Sequence, residues 1–161
     1  MVRFSVISYA LAFVGLLASV CADCADNDST QMITYVKRHP SLKQADFWNY
    51  WYTEHAPKVA PLANYFNISE YSQIQVGGYV LPTAAGATKP ASDIPVAFDG
   101  IANFRYRRPD DLTAMLEHPY YRDIVGPDET VFIDKKAFGG GQVATFVGIF
   151  WGVVSNNNVV W

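Results

Sequence analysis

Cysteine is nearly missing from this chain, and charge is thin. Cys21 and Cys24 are its only cysteines, both close to the start. A disulfide framework through the body of the domain is therefore excluded, and packing or association has to supply stability. Charged residues make up 17% of the 161 positions, the net charge is −3, and no basic run occurs. A surface that neutralises a nucleic-acid backbone is excluded on the same ground. There is no HExxH pair, and the three histidines are far apart in sequence, so no metal site is expected. No GxGxxG opens a helix, since the "GGG" at 139–141 precedes a strand-like run, and there is no GxSxG elbow. No cofactor is expected.

Apolar and aromatic residues are abundant: half of the chain is hydrophobic and 15% is aromatic, enough for one globular domain with a sizeable core. The first 22 residues stand apart from it. "MVRF" carries a positive charge, "SVISYALAFVGLLASV" is uncharged and mostly apolar, and "VCA" puts small residues before Asp23. This is the pattern of a secretory signal peptide cleaved after Ala22. Its apolar run is shorter than the roughly 20 residues of a spanning helix, so no membrane association is expected after cleavage. Bulky Val20 argues against a lipoprotein box at Cys21. Two sequons, at Asn27 and Asn67, fit a secreted or secretory-lumen protein as glycosylation sites.

Residues 23–31 are polar and read as a flexible N-terminal arm, leaving 32–161 as the domain. "MITYVKR" (32–38) reads as a strand. From Leu42 to Phe66 the period is helical: Phe47, Trp51, His55, Val59, Leu62 and Phe66 share one face. Pro57 removes a backbone donor, so a kink or restart is expected just after His55. "EYSQIQVGGYV" (70–80) is a second strand, and 81–95 is a Pro/Gly/Ala/Ser loop. In residues 96–107 Phe98, Ala102, Phe104 and Tyr106 face one way, while Asp99, Asn103, Arg105 and Arg107 face the other, which is a third strand. Pro109-Asp110-Asp111 starts a second helix that stops at Pro119, and "YYRDIVGPDETVFID" follows as a helical or looped connection. "QVATFVGIFWGVV" is a fourth strand, and "SNNNVVW" a turn and hairpin arm. The order β-α-β, β-α-β predicts an α+β, ferredoxin-like split βαβ fold, with helices on one face of a four-stranded antiparallel sheet. A second copy can cover the bare face, giving a homodimer, a dimeric α/β barrel.

Three blocks, "FWNYWYTEHAP" (47–57), "FDGIANFRY" (98–106) and "HPYYRDIVGPDETVFID" (118–134), resemble the EthD domain family of the dimeric α/β-barrel superfamily, here as a secreted, fungal-type member. The similarity runs over roughly residues 32–150. Relatives of this fold include aromatic polyketide cyclases, cofactor-free anthrone oxygenases, decarboxylases or dehydratases acting on anthraquinone precursors, and stress-responsive barrels without established chemistry. The resemblance implies a cofactor-independent tailoring enzyme that cyclises, dehydrates or decarboxylates an aromatic polyketide-like molecule. Two other functions stay open: a cofactor-free oxygenase on an anthrone-like substrate, and a non-catalytic secreted module that binds a hydrophobic aromatic molecule or only dimerises.

His55 is the candidate catalytic acid/base, an imidazole walled by rings beside the expected kink. The competing reading is a core histidine bonded to a carbonyl or to Glu54. Candidate substrate-binding residues are Trp51, Phe47, Asn103, Arg105 and Tyr121. Asn103 and Arg105 share a strand face that could orient a phenolate or carboxylate, or else face solvent or a second copy. Asp128 and Asp134 are expected to cap a turn or pair with Arg122, and Tyr120 to pack. His118 is expected at a helix end, and His39 in a loop near the pocket mouth. Axial haem ligation by a lone histidine is possible in this superfamily, but the chain is short for it.

Overall fold

The computed structural model describes residues 29–155 and 158–159. The expected leader, both cysteines and the Asn27 sequon lie outside the described residues. The first strand, β1 (Ser29–Val36), begins three residues earlier than expected. Ser29–Gln31 belong to it because β1 is paired on both sides, and that pairing outweighs their polar composition. The other sheet strands are β2 (Glu70–Ile74), β5 (Gly100–Tyr106) and β6 (Gln142–Phe150). The order is β2-β5-β1-β6, with every neighbour antiparallel. That is the split βαβ topology of the ferredoxin-like fold. The expected second and third strands are each divided. Strands β3 (Gly78–Val80) and β4 (Val96–Phe98) leave the sheet to form a separate hairpin carrying the 81–95 loop. A small hairpin of β7 (Val154–Ser155) and β8 (Asn158–Val159) follows β6.

Two helical segments lie on one face. The first comprises α1 (Gln44–Tyr50), a π turn at Trp51–His55, and α2 (Ala56–Tyr65). The second comprises α3 (Pro109–Glu117), a π turn at Tyr121–Val125, and α4 (Gly126–Phe132). In each π turn an amide reaches back five residues, Ala56 N–H to the Trp51 carbonyl and Gly126 N–H to that of Tyr121. In each, the next residue is proline, Pro57 or Pro127. A proline inside a helix has no N–H and its ring presses on the carbonyl four residues back; widening the turn relieves both problems. The expected break after His55 is therefore a continuous helix with one bulged turn, and Ala56 keeps helical dihedrals (φ −55°, ψ −41°). Bulges of this kind recur at functional sites. The helix end at Pro119 is as expected: His118, just before it, is extended (φ −61°, ψ 140°).

Alternation along the strands sorts the sheet into two faces. Met32, Thr34 and Val36 of β1, and Ala102, Phe104 and Tyr106 of β5, point to the helices. One cluster holds Phe47, Trp51 and Phe132 against Val36 and Ala102, and another holds Leu62, Leu112 and Met115 against Tyr106. Ile33, Asn103 and Phe146 lie side by side on the opposite face, as do Tyr35 and Ile101. The first helical segment ends in a Schellman motif. Ile68 N–H bonds to Ala63 O at 2.9 Å and Asn67 N–H to Asn64 O at 3.2 Å. Asn67, at φ 55°, is in the left-handed region and exposed.

Candidate active site

A cavity of about 480 Å³ opens between the helices and the sheet. Its walls are mostly apolar, with Met32, Val59 and Phe104 among them, and Ala84 and Ala85 of the long loop close one side. Trp51, His55 and Tyr121 all line it, so three of the expected site residues come together. His55 occupies the last position of the first π turn, where its ring is buried. Its Nδ1 lies 2.8 Å from Oδ2 of Asp128 on α4. Phe132 supports the ring at 4.7 Å between centroids. With Nδ1 committed to the carboxylate, Nε2 is the nitrogen available to a molecule in the cavity.

Asp128 is itself held on three sides. Its Oδ1 accepts a hydrogen bond from Tyr50 Oη at 2.7 Å and another from Lys58 Nζ. Burial alone would raise its pKa, but the bonds from Lys58, Tyr50 and His55 outweigh that and keep the carboxyl below the ordinary carboxylate value. The Asp128 bond pushes the Lys58 pKa up, and with burial also that of Tyr50. His55 moves the other way. Loss of water around the ring lowers its pKa, and the bond to Asp128 only partly restores it. The result is a neutral imidazole with Nδ1–H on a carboxylate and a basic Nε2, the arrangement of a general base with an orienting partner.

A second polar group sits in the same cavity. Glu129, next to Asp128 on α4, lines the wall and is buried. Its Oε1 accepts from Tyr121 Oη at 2.6 Å and its Oε2 from Lys135 Nζ at 2.5 Å. Burial, the Glu129 charge and that hydrogen bond all drive the Tyr121 phenol far above its ordinary range. Tyr71 on β2 completes this side; burial pushes its phenol up to about 12, against hydrogen bonds from Gln73 and Trp51.

Other expectations do not hold. Phe47 is fully buried, 5.3 Å from the Trp51 ring and 5.8 Å from Phe132, so it backs the cavity wall and does not line it. Asn103 and Arg105 point to the opposite face of the sheet, where Asn103 Nδ2 bonds to Ser72 Oγ at 3.3 Å and Arg105 pairs with Glu70 at 3.2 Å. Strand alternation separates them from Ala102 and Phe104, which do line the cavity. Asp128 does not pair with Arg122, which bonds to Asp123 at 2.9 Å. Asp134, by contrast, caps a turn as expected, accepting from Lys136 N–H at 3.1 Å. His39 bonds to Ser41 Oγ at 2.7 Å and does not line the cavity, while His118 stands at the end of α3 as expected, facing Phe66. Among the described residues no cluster of three or more His, Cys, Asp or Glu could hold a metal ion, and no helix is long and apolar enough to cross a membrane.

Glu129 and Lys58 were not foreseen, though the two helical segments can be set in register. Pro57 recurs as Pro127, 70 residues later, and the same offset places Tyr121 and Val125 where the first segment has Trp51 and His55. The same offset carries Lys58 onto Asp128 and Val59 onto Glu129. The two helical segments therefore present matched positions to one cavity.

A split βαβ sheet with two bulged helices closing an apolar, histidine-bearing cavity defines a small ferredoxin-like α+β domain. The EthD domain family matches residues 39–136, more than half of the chain, and the chain belongs to that family. It is 25% identical over 123 residues to the conidial pigment biosynthesis dehydratase EthD of Metarhizium robertsii, covering 76% of this chain and 83% of that protein. Among solved structures, HapK from Hahella chejuensis superposes with a TM-score of 0.50 at 10% identity, over 78% of this chain and 96% of that one. An ethyl tert-butyl ether D (EthD) family protein from Bacillus halodurans C-125 covers 74% of this chain and 95% of that one, at TM-score 0.44 and 16% identity.

Proposed function

We propose that this protein is a cofactor-independent tailoring enzyme that removes water from an aromatic polyketide-like substrate, with His55 as its acid/base. The observation that carries the reading is His55 itself: Nδ1 on a buried carboxylate, and the ring in the wall of an apolar cavity. The cavity volume falls in the range of about 300–1,000 Å³ typical of small-molecule sites. The dehydratase name of the Metarhizium relative supports the reaction class. Cyclisation by attack of a ring or chain carbanion would use the same base.

The chemistry follows from one nitrogen. In a ring bearing a hydroxyl β to a carbonyl, Nε2 of neutral His55 removes a proton from the intervening carbon. The electron pair left behind becomes the new carbon–carbon double bond as the β carbon–oxygen bond breaks. The departing oxygen takes the proton back from the imidazolium and leaves as water. Asp128 stabilises the transient imidazolium and fixes the ring. Oxidation states balance, so the step needs no redox partner.

The test is incubation of the purified protein with a β-hydroxy ketone of the hydrated naphthalenone or anthracenone type. Loss of one water by mass spectrometry without oxygen uptake is expected. Oxygen consumption with an anthrone would replace this reading with oxygenation. Tight binding without turnover of any such compound would reduce the protein to a binding module.

A further inference from the structure

We infer that Glu129, presented with Tyr121, is the anchor for a neutral hydroxyl group of the ligand, and that the cavity selects phenolic or alcoholic aromatics against aromatic carboxylates. The inference rests on the cavity being an aromatic-ligand site, as proposed above, and narrows its ligand class.

His55 and Glu129 line the cavity together with the phenols of Tyr71 and Tyr121, and among the described residues no lysine or arginine lines it. Lys58 and Lys135 approach Asp128 and Glu129 with side chains that remain about one-third exposed, at 33% and 34%. They compensate the carboxylates from outside the cavity wall. A carboxylate has about four lone-pair sites. Glu129 uses one on each oxygen, for Tyr121 and for Lys135, and keeps acceptor capacity toward the cavity. A hydroxyl group on a ligand can donate to that capacity, and a hydrogen bond to a buried charge is among the stronger neutral-to-ion contacts. A ligand carboxylate has no proton to donate there at neutral pH. It would leave water, meet Glu129 and find no cation lining the wall. The Tyr121 hydroxyl is committed to Glu129, and the other donors of the wall, the Tyr71 phenol among them, are neutral groups that do not balance a carboxylate's charge.

The measurement uses one ring system with three substituents: 2-naphthol, 2-methylnaphthalene and 2-naphthoate, titrated calorimetrically into the full protein at pH 7. The wild type should bind 2-naphthol about tenfold or more tightly than either of the others, the equivalent of ~1.4 kcal/mol. In Glu129→Gln the charge is gone, and 2-naphthoate should gain about tenfold relative to 2-naphthol. Equal or tighter binding of 2-naphthoate by the wild type overturns the inference and leaves the aromatic site standing. So does an unchanged naphthol-to-naphthoate ratio in folded Glu129→Gln. If Glu129→Gln does not fold, the wild-type ratio alone decides. No binding of any of the three by the wild type removes the aromatic site, and this inference with it.

Discussion

His55 Nδ1 and Asp128 Oδ2 lie 2.8 Å apart, across the gap between the first π turn and α4. The bond joins the two halves of the fold at the cavity. In the proposed mechanism it separates two roles: His55 exchanges the proton, while Asp128 orients the ring and balances its charge. His55→Phe should keep the ring packed on Phe132 and lower turnover by about 10²-fold or more, the scale of lost acid–base catalysis. Asp128→Asn should also slow the reaction, and should shift its pH profile, because an amide no longer stabilises the imidazolium. Steady-state kinetics beside a melting curve check both. Full activity in folded His55→Phe would remove His55 from the mechanism.

In the proposed mechanism the same pair should set the acid side of the pH profile. Burial lowers the His55 pKa from its ordinary 6.5, so the folded protein binds fewer protons there than the unfolded chain in the window between the two values. Stability from this group is present above pH 6.5 and drains as pH falls through the lowered folded value. Asp128 has the same sign. Its pKa lies below the ordinary 3.8, so its contribution is held above that pH and lost as pH falls through the folded value. Two acid-side losses are expected in a melting-temperature series, one below pH 6.5 and one below pH 3.8. The rate should hold at pH 6.5 and fall only at lower pH, because Nε2 stays unprotonated there. A rate midpoint above 6.5 would contradict the buried, neutral imidazole.

Gly100 sets the position of Trp51. A Cβ at this point of β5 would overlap the six-membered ring of the Trp51 indole, which lies directly against the backbone. Gly100→Ala should cost about 1–3 kcal/mol through overpacking. Trp51 has to move, and Trp51 is a cavity wall, so ligand affinity should drop along with melting temperature. A variant with unchanged melting temperature and unchanged affinity would show that the indole is not wedged there.

The fold was legible in the sequence because its signals are local. Alternation marked β5, and spacings of three and four marked the buried face through Phe47, Trp51, His55, Val59 and Leu62. One further signal lay in that spacing. Three successive steps of four drift by ~40° each on a helix of 3.6 residues per turn, and the π turn takes up the drift. The site was only half legible. His55, Trp51 and Tyr121 could be named from their surroundings, but Asp128 reaches His55 over 73 residues of chain. No local pattern fixes such a contact; it depends on how two helices meet. Asn103 and Arg105 were misplaced for a different reason. Their polar strand face looked suited to a ligand, while the cavity lies on the apolar side.

That polar-edged outer face is where association is expected. In the single chain Ile74 is 46% exposed and Phe146 44%, on the sheet face away from the helices, with Ile33 and Ile101 alongside them. Arg105 borders the patch, paired with Glu70 and stacked 4.5 Å over the Phe150 ring. Apolar side chains on the open face of a sheet favour a covering partner, and a second copy offers a matching surface through a two-fold axis. Light scattering at micromolar concentration should therefore give the mass of a homodimer. Phe146→Asp should shift it to monomer, since pairing would bury an uncompensated charge in the joint. The cavity lies on the other side of the sheet, so the monomeric variant should still bind the aromatic probe. A monomer mass for the wild type would leave the open face without the second copy expected on it.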